Sequence, residues 1–534
     1  MAVDVFSKSE RLFYLVATVI SVGYGLYRFH GESERYVKTH AATDDFVSGW
    51  SWLGGRKQDV SDSEWNKFTS KVWILLPCQA VHVLLCLAAH RLRIPGQMRT
   101  FGIFVFDAAV ISYFIGIKSV TLLVVESLLF YVVASVSCTL NRSLPVWILF
   151  IVMTLSMNSD SLNYLKIKYL FASSENMHGQ FYEFMVAQAF GYLSLCSFAM
   201  DTFWHVSRTS EVSKSTEEKN PSVDKSGERS LVLSSKPSFI DLLYFMFCLP
   251  KFFDGPIYNY QEFHEQQTSF YDSPSIKVPI KSIIKSVGQI GCWYMFIEFQ
   301  SHFFYHCSMG RYMAFVTSMP LVAAFTMLFW QGTFFQVKYV VLYGLPMEVL
   351  RFEGITPHSR PRCISLVYSF NDMWRYFDVG LYKFMKKYIF VPCGGSRSGV
   401  LQKAFASAVC FIFIYVWHGG MDALFYWCLG NYIVGLLETV GIMVERSGPG
   451  QRIVSTLGLA MWIRVKALLW VPIWTASSMQ ICFFFFGVRV GKYMTDRVMI
   501  NPSWSEMWTM TFIFYCGIQN AMAWTRLQTH KKTK

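Results

Sequence analysis

Three groups of residues in this sequence could do chemistry. His418 interrupts the run FIFIYVWHGGMDALFYW (411–427). An imidazole taken out of water needs a hydrogen-bond partner or a cavity. It is therefore either bonded to a neighbouring helix or placed to accept a proton. Gly419 and Gly420 follow it and let backbone or ligand approach closely. Asp378 lies in PRCISLVYSFNDMWRYFDVGLYKFMKKYIFVPCGGSRSG (361–399), directly after Trp374, Arg375, Tyr376 and Phe377. It either pairs with Arg375 or faces a cavity. Lys383, Lys386 and Lys387 share the polar side of the amphipathic run that follows, and the turn CGGSRSG closes the stretch. These lysines are either a solvated face against headgroups or a basic cradle for a polyphosphate-bearing ligand.

Such groups need a scaffold that keeps them away from lipid. Of the 534 residues, 53% are hydrophobic and only 16% charged, against about 25% charged in a soluble domain. Mean hydropathy is +0.32. The chain lacks the polar surface to cover itself in water, which predicts an all-α polytopic protein in a lipid bilayer. Apolar runs of spanning or near-spanning length recur from about residue 12 to 524. They predict ten to twelve membrane helices, the shorter or charged ones tilted or re-entrant. Residues 12–27 form the first span, expected to stay as an anchor. The net charge of +13 comes with no long basic run and no reader motif, so nucleic acid is not an expected partner. The 13 cysteines include no CxxC pair, so their spacing indicates neither a zinc framework nor a disulfide one.

Charge bias sets the orientation. The loop RLRIPGQMRT (91–100) has three arginines and no acid, which places it and the N-terminus in the cytoplasm. Four more spans lead to 206–238, a Ser/Lys/Glu-rich segment read as a flexible cytoplasmic loop. Beyond 239, ionisable residues enter apolar sequence: Glu298, His302, His306, Lys338, Asp378 and His418. Such groups face a cavity or one another.

Taken together, SFNDMWRYFDVGL, YIFVPCGGS and YVWHGGMDALFYW resemble the membrane-bound O-acyltransferase (MBOAT) superfamily, and within it the hedgehog-acyltransferase branch. Weaker echoes are RKQDVSDSEW near residue 60, DGPIYNYQEF at 254–263 and VKYVVLYGLP at 337–346. The likeness is dense over about 337–430, expected to be the catalytic core segment of a single membrane domain over 1–534. It implies the MBOAT fold, with helices and re-entrant segments around a central tunnel. It also implies a catalytic histidine at His418, its partner aspartate at Asp378, and Trp374 lining an acyl-CoA channel. Lys387 stands where the family has an arginine. Cys363, in the PRC context, falls on a haem-iron ligand, so haem b is an implied cofactor. Val488 departs from an expected asparagine.

The implied reaction is protein-cysteine N-palmitoylation. A palmitoyl group passes from palmitoyl-CoA to the N-terminal cysteine amine of a secreted hedgehog-like protein, with an EGF-like ligand as alternative acceptor. CoA phosphates would meet Lys383, Lys386, Lys387 and Arg397, and Arg375 joins the expected substrate-binding set. The implied location is the endoplasmic reticulum membrane, with the Golgi as alternative; the tail HKKTK, with Lys531 and Lys532, fits a dilysine retrieval signal. Rival readings are MBOAT O-acylation of a serine hydroxyl or a lipid, and a non-catalytic scaffold or transporter.

Overall fold

The computed structural model describes residues 5–172, 174, 176–217, 237–274, 278–395 and 399–532. Helix α1 (Lys8–His40) leads into a short antiparallel hairpin, β1 (Phe46–Ser48) with β2 (Lys57–Asp59). Then come α2 (Ser63–Arg91), α3 (Gly96–Ile115), α4 (Ile117–Leu140), α5 (Leu144–Ser156), α6 (Asp160–Leu170) and α7 (Met177–Glu217). The second half holds α8 (Phe239–Phe247), α9 (Leu249–Phe252), α10 (Tyr260–Asp272), α11 (Ile280–Gln300), α12 (His306–Met309), α13 (Met313–Ser318) and α14 (Leu321–Leu350). It closes with α15 (Phe370–Phe377), α16 (Val379–Phe384), α17 (Val400–Trp417), α18 (Asp422–Arg446), α19 (Gly448–Thr495) and α20 (Trp504–Lys532).

The all-α expectation holds, because a backbone in lipid must satisfy its own hydrogen bonds. Among the described residues, eight helices are long and apolar enough to cross a membrane, or nine if the pair α5 and α6, bent by 76°, is one span. The expected ten to twelve is reached only by adding α11, α14 and α20, which have 21, 30 and 29 residues but fall short of the same apolarity. Helix α7 runs on to Glu217, into the segment expected as a loop from 206; residues 218–236 lie outside the described ones. The chain breaks its long helices with defined caps. Asp62 caps α2 by accepting the Trp65 N–H, and Asp378 ends α15 and caps α16. Long α19 kinks at Gly458 and Gly487, where the backbone is not helical.

Two sets of contacts fix which ends lie together. The starts of α2 and α7 meet through the Lys71–Glu183 ion pair and through Lys67, which stands over the Tyr182 ring at 3.1 Å. The far ends of both helices lead toward the two segments expected in the cytoplasm, 91–100 and the stretch beginning at 206. The β hairpin and Glu64 therefore occupy one side. Asp201, α10 and the lysines after Asp378 gather on the other, where His90 also meets the Ser273 carbonyl oxygen at 2.9 Å.

The main core packs α3, α4, α5, α7 and α8 through fully buried aromatics such as Phe130, Phe150, Phe184 and Phe247. The intramembrane charge Lys338 is paired. Its ammonium lies 3.0 Å from Asp62 and 2.6 Å from Glu64, with its side chain 3% exposed. Removing it strands two carboxylates beside the core. Lys338→Ala is expected to cost about 3–5 kcal/mol, measured as a fall in the thermal unfolding midpoint in detergent.

Candidate active site

The two sequence-assigned reactive groups line one cavity of about 600 Å³, within the range of small-molecule sites. His418 is the C-cap of α17, and its backbone N–H donates to the Ile414 carbonyl at 3.0 Å. The chain then turns sharply. Gly419 and Gly420 take φ of +108° and +66°, a region that side-chain-bearing residues avoid. The Tyr415 hydroxyl donates to the Gly420 carbonyl at 2.6 Å, and the Asn158 amide to that of Val416 at 2.7 Å. The imidazole is thereby held at the mouth of the turn. It sits edge-on between Trp427 and Phe484, with ring centroids at 5.7 and 5.8 Å. Among the described residues its ring makes no hydrogen bond. His418 falls between the candidate spans Val400–Trp417 and Asp422–Arg446. Burial lowers its pKa to about 4, so the ring is neutral at physiological pH.

Asp378 reaches the same cavity from the break between α15 and α16. One carboxylate oxygen accepts the Leu381 N–H at 2.9 Å, and the other accepts the Tyr343 hydroxyl at 3.1 Å. Burial raises its pKa, and these hydrogen bonds oppose the rise. It does not pair with Arg375, which is exposed and leans toward Asp372 at 3.5 Å. Arg375 does not line the cavity. Trp374 does, edge-on to Phe411 at 5.2 Å and near Trp427 at 5.6 Å. A chain of rings thus runs from Trp374 through Trp427 to His418.

The lysines stand outside this cavity, on the helical stretch whose Leu381, Tyr382 and Met385 line it. Lys383 pairs with Glu262 at 2.6 Å, and Lys387 with Asp201 at 2.7 Å. Lys386 is exposed. Arg397 lies outside the described residues. Cys363 is an exposed thiol at the start of a short turn; its neighbours Ile364 and Ser365 line the cavity, and it does not. Val488 does not line it either, so the departure from asparagine leaves the chamber wall unchanged.

Several wall residues went unassigned in the sequence. Tyr343, which holds Asp378, stacks edge-on against Tyr339 at 4.9 Å, and the Tyr339 hydroxyl donates to Glu64 at 2.9 Å. Glu64 and Asp254 make the cavity's hairpin-side end polar, while Phe325, Leu328, Trp474 and Phe514 give it an apolar region. Burial first, then Glu64 and Glu183, push the Asp254 carboxyl up to about 7. The signals were present: Glu64, Asp254 and both tyrosines lie in the three weaker motif echoes. Nothing in those echoes says which side chains face inward.

A model of the membrane-bound O-acyltransferase family matches residues 171–485. The protein-cysteine N-palmitoyltransferase HHAT of Mus musculus is 26% identical over 487 residues, with 89% of this chain and 90% of that protein covered. The protein-cysteine N-palmitoyltransferase Rasp of Drosophila melanogaster is 24% identical, with 99% and 98% covered. The membrane-bound O-acyltransferase GUP1 of Saccharomyces cerevisiae is 24% identical, with 78% and 74% covered. The family match contains both Asp378 and His418.

Proposed function

The chain belongs to the membrane-bound O-acyltransferase family, and we propose that its cavity moves a palmitoyl group from palmitoyl-CoA to the α-amine of an N-terminal cysteine. The enzyme is an acyltransferase of the protein-cysteine N-palmitoyltransferase kind. The acceptor proposed is a secreted hedgehog-like protein, with an EGF-like ligand as the alternative. The observation that carries this reading is a neutral imidazole, without a carboxylate partner among the described residues, in a chamber that joins a polar end to an apolar region.

The apolar region takes the acyl chain. At ~0.8 kcal/mol per CH₂, burying a palmitoyl tail contributes roughly 11 kcal/mol. The donor's CoA is assigned to the cytoplasmic side, where Lys383, Lys386 and Lys387 gather. Lys383 and Lys387 would exchange Glu262 and Asp201 for phosphate oxygens, while Lys386 stands ready. Arg375, exposed on the same stretch, and Arg397 complete the assigned set. Trp374 borders the thioester. The acceptor enters from the hairpin side past Glu64 and Asp254, whose carboxyl oxygens can accept hydrogen bonds from an incoming amino group.

Chemistry then needs little activation. An α-amine has a pKa of about 7.7–8.0, so a fraction is already a nucleophile near neutrality. The nitrogen attacks the thioester carbonyl, and His418 accepts the proton that the nitrogen sheds. Collapse breaks the C–S bond, and the proton passes to the CoA thiolate. Asp378, with one lone pair on each oxygen committed to Leu381 and Tyr343, keeps the others for the substrate amine. A hydroxyl acceptor needs more activation than an α-amine, but O-acylation would use the same His418, so the histidine does not separate the two products.

Haem b is proposed at Cys363. The thiol is exposed and unbridged, so it would be free to hold the iron as a thiolate. No step of the transfer runs through it, because Cys363 does not line the chamber. The chain is a multi-pass membrane protein. The endoplasmic reticulum, with the Golgi as alternative, is the proposed location because it presents cytosolic acyl-CoA opposite a lumenal protein; localisation of a tagged chain in plasma membrane alone would overturn this.

His418→Ala is expected to lower kcat by about 10²–10⁴ in a folded protein, with Asp378→Asn, which keeps the cap, similarly impaired. Release of CoA by either purified variant at the parent rate would reject the assignment. The pH profile carries its own signature. Protonation disables the base, but its lowered pKa leaves it competent above about 4. The profile of kcat/KM should rise with pH and level off near the acceptor amine's pKa of about 7.7–8.0. A second break near an ordinary histidine's ~6.5 would contradict a neutral buried ring. For the haem, purified protein should show a Soret absorbance that Cys363→Ala removes while acyl transfer continues.

A further inference from the structure

Away from the chamber, the fold gathers donors that sequence spacing did not pair. His82 and Cys86 sit one turn apart on α2, and Glu353 lies in the turn just after α14. The His82 Nε2 atom is 2.8 Å from Glu353 Oε1 and 3.7 Å from Cys86 Sγ. One donor atom from each of the three lies within 4.8 Å of the other two. Behind the ring, Nδ1 lies 2.7 Å from Asp107 Oδ1 on α3. All four residues are 0% exposed. None lines the acyl-transfer cavity.

We infer that His82, Cys86 and Glu353 form a structural zinc site, with Asp107 orienting the imidazole. An ion pair alone accounts for less of the geometry. The remaining partners of the two carboxylates are neutral, the Leu249 N–H on Asp107 and the Tyr244 hydroxyl on Glu353. A protonated His82 answers the carboxylates and leaves Cys86 Sγ, 3.7 Å from Nε2, without a role. A divalent ion held by His82 Nε2, Glu353 and the Cys86 thiolate engages all three donors, with the thiol proton released on binding.

The backing of Nδ1 by Asp107 is the arrangement that fixes a metal-binding histidine's tautomer and raises its basicity. A nitrogen, sulfur and oxygen set suits zinc, with bonds of about 2.0–2.3 Å. Tetrahedral bonds of that length put donors roughly 3.2–3.6 Å apart. The N···S separation is close to this already, and the N···O separation opens by a small rotation of the Glu353 carboxylate. The Tyr271 hydroxyl beside Cys86 is a further oxygen donor. Full burial makes the site closed, as structural zinc sites are. Its ion would tie α2 to the turn after α14 and, through Asp107, to α3.

Elemental analysis of the full-length enzyme, purified in detergent without chelator, tests the site independently of activity. Stoichiometric zinc in the parent, lost in folded Cys86→Ala and His82→Gln, is the expected result. Should those variants fail to fold, the parent produced with cobalt is expected to show a thiolate-to-cobalt charge-transfer band. A parent that carries no stoichiometric metal and gains no such band overturns the inference, as does metal retained in both variants.

Discussion

The chamber depends on one carboxylate that has to be satisfied away from water. A buried acid is tolerated only with hydrogen bonds to its oxygens. Asp378 obtains them by ending one helix and capping the next, so the backbone must break there. That break turns Trp374 and Phe377 to one wall and leads Leu381 and Tyr382 along it. The second hydrogen bond, from Tyr343, fastens the break to α14. Cap, helix break and cavity wall are consequences of the same group.

Opposite it, His418 obeys the reverse condition. Its ring is packed by aromatic edges and given no hydrogen-bond partner among the described residues, so its lone pair is left for whatever enters. Tyr415, Asn158 and the Gly419–Gly420 turn hold the backbone rigid while the side chain stays uncommitted. A pre-set backbone with an unengaged base is what a proton acceptor requires. Charged pairs lie on both sides of the fold, with the Lys338 cluster on the hairpin side and the lysines after Asp378 on the other.

Much of this was legible in the sequence. An imidazole between Trp417 and Gly419 in an apolar run, and an aspartate after WRYF, are anomalies that composition alone exposes. The positive-inside loops give the chain an expected orientation. The helical class followed from a lack of polar surface. Less legible were the number of crossings and the extent of α7, because an apolar run reads alike in a span, a bent pair or a buried helix. Pairing Asp378 with Arg375 was open in the sequence, since residues three apart meet on a helix. The helix ends between them, and Arg375 turns to Asp372 instead.

What the sequence determined by itself was therefore local and chemical: membrane residence, and which residue types stand where lipid would reject them. Burial energy and charge bias act on each segment alone, so they can be read without a fold. Partnership was decided only in three dimensions. Tyr343 reaches Asp378 across 35 residues, Glu353 reaches His82 across 271, and Asp201 reaches Lys387 from another helix. Hydrogen bonds and ion pairs act over a few ångströms, and only tertiary packing brings such distant positions that close.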